Sequence, residues 1–516
     1  MRASLHRGGR RRGSAAVLFA TMLPTLLIPV VGLAIDGSRL YIVQAKLAGA
    51  VDGAALGAGR LLGTTADTVE IAGEFLKANF PSGFWGTSNL TPNITYTKTM
   101  SSNTITVSAT VSTPLLFMRM FGQSISSVAA SAVATRKETR IELVLDRSGS
   151  MVDELGSLQG LAKQFTSSFI SGYDELGLVA YGSSAVVGYP TTRPYNASPT
   201  SAGGPDTNFE TTQTNGDMLD MIGYLKASGA TNMAEALWLA YLELQKADHK
   251  DNDPTRLNAI VLFTDGVPTA MSANLNDPSN LPDSNSLKPC SASHGACTVC
   301  KCTYNPGTVG DTTTQMIGWL GGWGIPSDTG YASGIYRLAS AANDSNTAKY
   351  WMQNPGADMN LINPSKPVNN CQYLQATQSN GDLNDLRQIP PQDYWGNSTS
   401  DGTAYQASVL YNNFNTAYSS TNLSNGYHLG IAAWNATDKA AKRIQADTNL
   451  NVTIYTIGYT GDGGVDTALL KRLANTKDSS NHTSSWQTGI YVAASDTNGL
   501  ALAFQTVASA ILRLAK

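Results

Sequence analysis

The sequence predicts an α/β protein whose main body is a doubly wound, mostly parallel sheet. Three observations predict it. Apolar runs recur from Arg140 onward, at 141–145, 176–181, 259–263 and 452–458. Amphipathic stretches with three- and four-residue apolar spacing occupy 155–170, 232–245, 429–446, 465–474 and 498–514. Near-continuous apolar strands alternating with such helices belong to sheets covered on both faces. Two of the runs also close on a carboxylate, at Asp146 and Asp265. In such sheets ligands gather at the carboxyl ends of strands.

Ahead of this body, Arg2, Arg7, Arg10, Arg11 and Arg12 precede an uncharged run over 13–35. At ~1.5 Å per residue that run is long enough to cross a ~30 Å hydrocarbon layer as a helix. Pro24 and Pro29 are tolerated in membrane spans. A cleaved signal peptide is the competing reading, though its apolar region is normally ~7–15 residues. The arginines orient the N-terminus to the cytoplasm, which puts the bulk of the chain outside as a single-pass membrane protein. From 37 to 62 the helical pattern continues, with Leu40, Val43, Leu47, Val51, Ala54 and Ala55 on one side. Its Ala- and Gly-rich face suits either another helix or its own domain. A second amphipathic stretch covers 67–80. Strand-like alternation follows at 94–97, 104–112 and 124–135.

An Arg-rich start, an apolar segment ending in Gly32-Leu33-Ala34-Ile35-Asp36-Gly37-Ser38-Arg39, an Ala-rich helix and a small α+β region form a distinctive layout. It resembles the Tad (tight adherence) pilus-assembly family of bacteria. Pilin-like members of that group carry a Glu inside the apolar segment. None lies between 13 and 35, so the resemblance does not extend to processing as a pilin subunit. The expected domains are a basic segment and anchor at 1–36, a helical stalk with a small α+β region at 37–136, and the α/β body at 137–516.

The segment Asp146-Arg147-Ser148-Gly149-Ser150 follows the first apolar strand of the body and offers oxygen-bearing side chains on alternate residues. An ordinary polar turn or helix cap has the same composition. Thr231, within Ser228-Gly229-Ala230-Thr231-Asn232, and Asp265, ending the strand at 259–263, add two further oxygens in order. This set resembles the metal-ion-dependent adhesion site of von Willebrand factor A domains. The resemblance implies Ser148, Ser150 and Thr231 as direct or water-mediated ligands, with Asp146 and Asp265 supporting them. It further implies a partner's carboxylate completing the shell, and a last helix, 498–514, able to shift between states. Hard oxygen donors with few carboxylates suit Mg²⁺, with Mn²⁺ or Ca²⁺ as substitutes.

From 268 to 426 the periodic pattern stops and an Asn-, Ser-, Thr-, Pro- and Gly-rich insert is expected. It leaves the sheet just after Asp265, so it emerges on the candidate metal face. Trp319, Trp323, Trp351 and Trp395 are candidate contact anchors or the insert's own core. Cys290, Cys297, Cys300, Cys302 and Cys371 all fall inside it. An exterior location favours disulfides. The Cys297-x-x-Cys300-x-Cys302 spacing, with His294, is the zinc alternative.

A charged fraction of 14% and a formal net charge of -3 give no electrostatic reason to bind nucleic acid. The five histidines, His6, His249, His294, His428 and His482, form no His-Glu-x-x-His pattern. A haloacid-dehalogenase-type phosphatase would need Asp where Ser148 stands. The expected function is therefore a membrane-anchored, outward-facing, divalent-metal-dependent binding protein of the bacterial envelope. It would take an acidic residue of a protein ligand or of a pilus or envelope component, and it is not expected to be an enzyme. A structural envelope component whose metal only stabilises the fold is the alternative, and a Mg²⁺-dependent hydrolase the third reading.

Overall fold

The structure, a computed structural model, describes residues 12–514 apart from 65, 100–101, 191–196, 211–216, 252–255, 275–315, 323–329, 338–371, 376–391, 400–425 and 462–463. The chain divides into two compact units, Met1–Lys137 with the final Lys516, and Glu138–Ala515.

The first unit is built on α1 (Arg12–Gly59), α2 (Thr68–Asn79), β1 (Ser88–Lys98), β2 (Ser102–Pro114) and β3 (Ile125–Lys137). The three strands form an antiparallel sheet in the order β1-β2-β3. Helix α1 presents Val43, Leu47, Ala50, Val51, Ala54 and Ala58 to a core shared with Ala72 and Leu76 of α2 and Ile105, Val107, Ala109 and Val111 of β2. The strand residues alternate inward, as a half-buried sheet requires. The Ala- and Gly-rich side of α1 packs within its own unit. A Cβ on Gly57 would stand 2.9 Å from the Phe75 ring, and one on Gly59 would stand 2.9 Å from Ala134. Asp67 caps α2 by accepting the Val69 and Glu70 N–H groups.

Among the described residues no helix is long and apolar enough to cross a membrane. Side chains over 12–26, the greater part of the apolar run, lie outside the described ones.

The second unit carries the α/β body. Its sheet has the order β13-β12-β7-β4-β5-β6, from β4 (Thr139–Asp146), β5 (Glu175–Tyr181), β6 (Ala185–Tyr189), β7 (Leu257–Thr264), β12 (Thr453–Tyr459) and β13 (Tyr491–Ala494). All neighbours pair in parallel except β6, which lies antiparallel on β5. The helices are α3 (Leu155–Thr166), α4 (Met218–Gly223), α5 (Met233–Asp251), α6 (Gly426–Gln445), α7 (Thr467–Leu473) and α8 (Thr497–Leu514). Phe165 of α3, Phe504 of α8 and Phe263 of β7 meet on one face, with ring centroids 5.7 and 6.1 Å apart. On the other face Arg140 of β4 reaches Asp248 of α5 at 3.7 Å. The sheet is thus covered on both sides, which explains why β4, β5 and β12 are buried at every position.

The stretch expected to be irregular contains β8 (Ala270–Asn274), β9 (Met316–Gly322), β10 (Gly330–Arg337) and β11 (Gln372–Gln375), an antiparallel sheet in the order β11-β10-β9-β8. Glycines at 318, 321 and 322 break the apolar alternation by which β9 would announce itself. The five cysteines, His294, Trp323 and Trp351 lie outside the described residues. So does the Trp319 side chain. Trp395 packs against the core of the sheet body itself rather than a core of the insert.

Candidate metal centre

The parallel register pairs Leu145 of β4 with Phe263 of β7. Both chains therefore leave the sheet at the same edge, Asp146 from one and Thr264-Asp265 from the other. Asp146 is completely buried. Its Oδ1 accepts the Ser148 N–H at 2.8 Å, and its Oδ2 accepts the Thr264 hydroxyl at 2.7 Å. Burial raises this carboxyl, and the hydrogen bonds from Ser148 and Thr264 oppose the rise.

Past Asp146 the chain turns through Ser148 into a 3-10 turn, Gly149–Val152. The Ser148 and Ser150 hydroxyls lie 3.0 Å apart, and the Ser150 hydroxyl donates to Asp265 Oδ1 at 2.9 Å. Ser148 and Asp265 are buried, whereas Ser150 is exposed. Residues 115 positions apart thus share one patch of oxygen.

Thr231 arrives on a third loop, tied down at many points. Ser228 N–H donates to the Arg147 carbonyl at 2.7 Å, and Gly149 N–H donates to the Gly229 carbonyl at 2.9 Å. Ala230 N–H donates to Ser183 Oγ at 2.9 Å, and Asn232 N–H to the Gly182 carbonyl at 2.8 Å. Gly229 has φ of 89°, the left-handed region that favours glycine. Thr231 itself gives its N–H to Thr269 Oγ1 at 2.9 Å. Its hydroxyl oxygen lies 4.0 Å from where a Cβ on Gly266 would sit, so it faces the turn that follows Asp265.

These donors fit a small hard cation. Octahedral ligands at ~2.1 Å from Mg²⁺ stand about 3.0 Å from their neighbours. The Ser148–Ser150 and Ser150–Asp265 separations of 3.0 and 2.9 Å match that edge length. Among the described residues no group of three or more His, Cys, Asp or Glu is placed to hold a metal ion. The gathered groups are instead the Ser148 and Ser150 hydroxyls and the Asp265 carboxylate, with the Asp146 carboxylate bonded to the Ser148 N–H, an oxygen set that suits Mg²⁺ better than a nitrogen- or sulfur-seeking metal.

Several residues that build the patch were not singled out in the sequence. Thr264 holds Asp146, and the signal for it was its position between a buried strand and Asp265. Arg147 is completely enclosed, and its Nη1 donates to the Lys226 carbonyl at 3.0 Å. Burial lowers its guanidinium to about 10, with the Asp146 charge opposing. An arginine inside an Asp-x-Ser-x-Ser loop reads as solvent-facing, so nothing in the sequence marked it as a clamp.

Beside this patch lies a second acidic pair. Asn232 Nδ2 reaches Glu235 Oε2 at 3.2 Å, Ser272 Oγ at 3.0 Å and the Ser183 carbonyl at 3.1 Å. Part of the insert, 392–399, docks here, with Tyr394 N–H donating to the Ser272 carbonyl at 2.9 Å. Asp393 accepts the Trp395 and Asn397 N–H groups and the Asn397 amide. Arg443 of α6 donates to Asn397 Oδ1 at 2.6 Å and stacks 3.9 Å over Trp238. Burial pushes both Glu235 and Asp393 up to about 7. A cavity of about 440 Å³ lined by Pro199, Gln245, Asp248, His249, Asp447 and Leu450 sits at the far end of α5 from this chemistry.

Comparison with known proteins bears chiefly on the N-terminal segment. Residues 13–61 match the family model described as putative Flp pilus-assembly TadE/G-like. No curated protein matches the chain. Among solved structures it is similar to the pilus adhesin SpaC from Lactobacillus rhamnosus GG, at 13% identity and a TM-score of 0.32, covering 84% of this chain and 35% of that one. The PilB minor pilin from Streptococcus sanguinis aligns at 13% identity and a TM-score of 0.33, covering 84% and 79%. The vWF domain of the type V pili tip protein Mfa5 from Porphyromonas gingivalis aligns at 14% identity and a TM-score of 0.32, covering 74% and 97%. TM-scores at this level do not establish a shared fold. The pilus-assembly likeness thus belongs to the start of the chain, and the oxygen patch stands on its own geometry.

Proposed function

We propose that this chain is a membrane-anchored, outward-facing pilus-assembly or adhesion protein whose α/β unit binds an acidic side chain of a partner through a divalent cation. The observation that carries the reading is the convergence of Ser148, Ser150 and Asp265 at one sheet edge, with Ser150 exposed. Ser148, Ser150 and Thr231 would hold the ion, and Asp146 and Asp265 would orient the hydroxyls and offset its charge. Mg²⁺ bound there supplies a coordination position for a partner's carboxylate; Mn²⁺ or Ca²⁺ would substitute. The rest is the work of the chain itself. Thr264 and the Ser148 N–H keep Asp146 aimed at the patch, and the Arg147 and Gly229 contacts hold the Thr231 loop against it. The chemistry is binding, not turnover.

The anchor in this reading is the uncharged run over 13–35, carried by the helix α1. The pilus-assembly match over 13–61 overlaps that run and supports an envelope-associated role. The arginines ahead of the run keep that end cytoplasmic.

The test is calorimetric titration of Mg²⁺ and Mn²⁺ into the full chain in detergent, beside Ser150→Ala and Asp265→Ala. Loss of at least about ten-fold in affinity, or roughly 1.4 kcal/mol, is expected in each variant. Equal affinity in all three proteins removes the metal site from this reading.

A further inference from the structure

Helix α1 runs without interruption from Arg12 past the uncharged stretch into the core of the first unit. On the last turns of that stretch Val30 is 60% and Leu33 58% exposed, and Leu27, Val31 and Ile35 are also exposed. Gly32 and Asp36, one turn apart, are buried. A Cβ on Gly32 would stand 2.6 Å from that of Phe117, so the glycine admits that residue against the helix. The Asp36 carboxylate accepts the N–H groups of Leu116 at 2.8 Å, Phe117 at 2.9 Å and Met118 at 2.8 Å. The β2–β3 connection is therefore tied to α1 at the point where the uncharged run ends.

That connection exposes large apolar side chains. Met120 is 75% exposed and Phe121 62%, with Leu116 and Ile125 beside them at 55% and 59%. A loop designed only to join two strands would be polar there. Exposed Arg119 lies among them. Trp85, half exposed, joins the same end: Arg39 Nη2 donates to its carbonyl, and a Cβ on Gly86 would stand 3.2 Å from Arg39 Nη2 and 3.5 Å from Pro114. An aromatic residue, two arginines and an apolar tip beside the end of the uncharged run have the composition of a membrane interface. The arginines complement anionic headgroups.

We infer that the β2–β3 connection is a lipid-docking surface, with Met120 and Phe121 entering the headgroup–acyl boundary of the membrane that holds α1. This rests on the anchor in the reading above. Trp85, Arg39 and Arg119 stand at headgroup level, and the Asp36 tie sets the depth. The N-terminal unit is then held against the bilayer rather than carried on a free stalk.

The test uses the full chain in vesicles of phosphatidylcholine and phosphatidylglycerol carrying a diazirine phosphatidylcholine, with lipid adducts located by mass spectrometry. Adducts are expected within 13–35 and also at 116–125 and Trp85. In the double variant Met120→Ser, Phe121→Ser, the adducts at Leu116 and Trp85 are expected to be lost while those within 13–35 persist. Both substituted residues are exposed, and an unchanged circular dichroism spectrum verifies the fold. Adducts within 13–35 with none at 116–125 overturn the inference and leave the anchor standing. Adducts in neither segment remove the anchor itself. Protection of 116–125 from hydrogen exchange that grows with protein-to-lipid ratio, without adducts, assigns the surface to a second copy and also overturns it.

Discussion

Thr264 shows how much of the oxygen patch depends on a residue that ligates nothing. Its hydroxyl is fully buried and gives Asp146 Oδ2 its partner. Thr264→Val keeps the shape and removes one of the hydrogen bonds, beside those from Ser148 and Tyr181, that hold the buried Asp146 carboxylate, which costs about 1.5–3 kcal/mol for a bond to a charged group. Urea unfolding followed by circular dichroism should read that loss, and an unchanged midpoint would show that Asp146 does not need the bond. Glu142 presents the opposite case. It lies completely buried in the middle of β4, and neither carboxylate oxygen has a hydrogen-bond partner. Burial first and the nearby Glu243 second push it well above the usual carboxylate range, with Lys246 opposing. A Cβ on Gly177 would collide with its carboxylate, so the glycine is what makes room for it. Such a group favours the fold while protonated, and that contribution is lost as pH rises from the unfolded value of about 4.3 through the raised one. Glu142→Met should therefore be more stable than wild type by about 1–3 kcal/mol at neutral pH, and the difference should widen with pH. Parallel pH–stability curves for the two proteins would remove this account.

At the scale of elements, the segment 392–399 acts as a clasp between β8, α5 and α6. Tyr394 bonds β8 through the Ser272 carbonyl, Asn397 meets Arg443 of α6, and Thr399 accepts from Asn435 of α6 at 2.9 Å. Glu235 and Asp393 both lie buried at this joint, each held up to about 7 by burial. Both folded values lie above the unfolded ones near 4. The stabilisation is fully present below about pH 4 and is lost as the pH rises through 7. Hydrogen exchange over 393–398, corrected for intrinsic rates, should show weaker protection at pH 8 than at pH 5, and Glu235→Gln should flatten the change. Protection that is equal at both pH values in wild type would sink the clasp. The elements themselves divide by signal. Runs such as 141–145 and 259–263 were legible because a sheet covered on both faces demands unbroken apolarity. Strand β6, with Val186-Val187 beside Gly188, and the four-residue β13 were too short to stand out from loops.

For the whole molecule, an ion that binds the folded α/β unit alone must stabilise it. At a Mg²⁺ concentration 100-fold above the dissociation constant the gain is about 2.7 kcal/mol. A calorimetric melt of the full chain should rise with the logarithm of Mg²⁺ concentration, and Asp265→Ala should abolish the rise. A melt that ignores Mg²⁺ in wild type would exclude a site formed only in the folded state. Each unit has its own apolar cluster, one around α1 and β2, the other around the six-stranded sheet. The sequence marked the second by its periodicity from Arg140 onward. It marked the first less clearly, because a helix of Ala and Gly buries little area per residue and relies on close approach.

The amino-acid order by itself determined the strand-and-helix alternation, the uncharged run with its basic flank, and the residue types able to meet a hard cation. Those are local properties, set by periodicity and side-chain chemistry within a few turns of chain. Only the folded structure decided that Ser150 and Asp265 lie within a hydrogen bond of one another, that Arg147 is a buried clamp, and that Asp36 fastens the β2–β3 connection to α1. Such contacts join positions 79 to 115 residues apart, and parallel register, burial and loop closure set them, none of which leaves a mark on neighbouring residues.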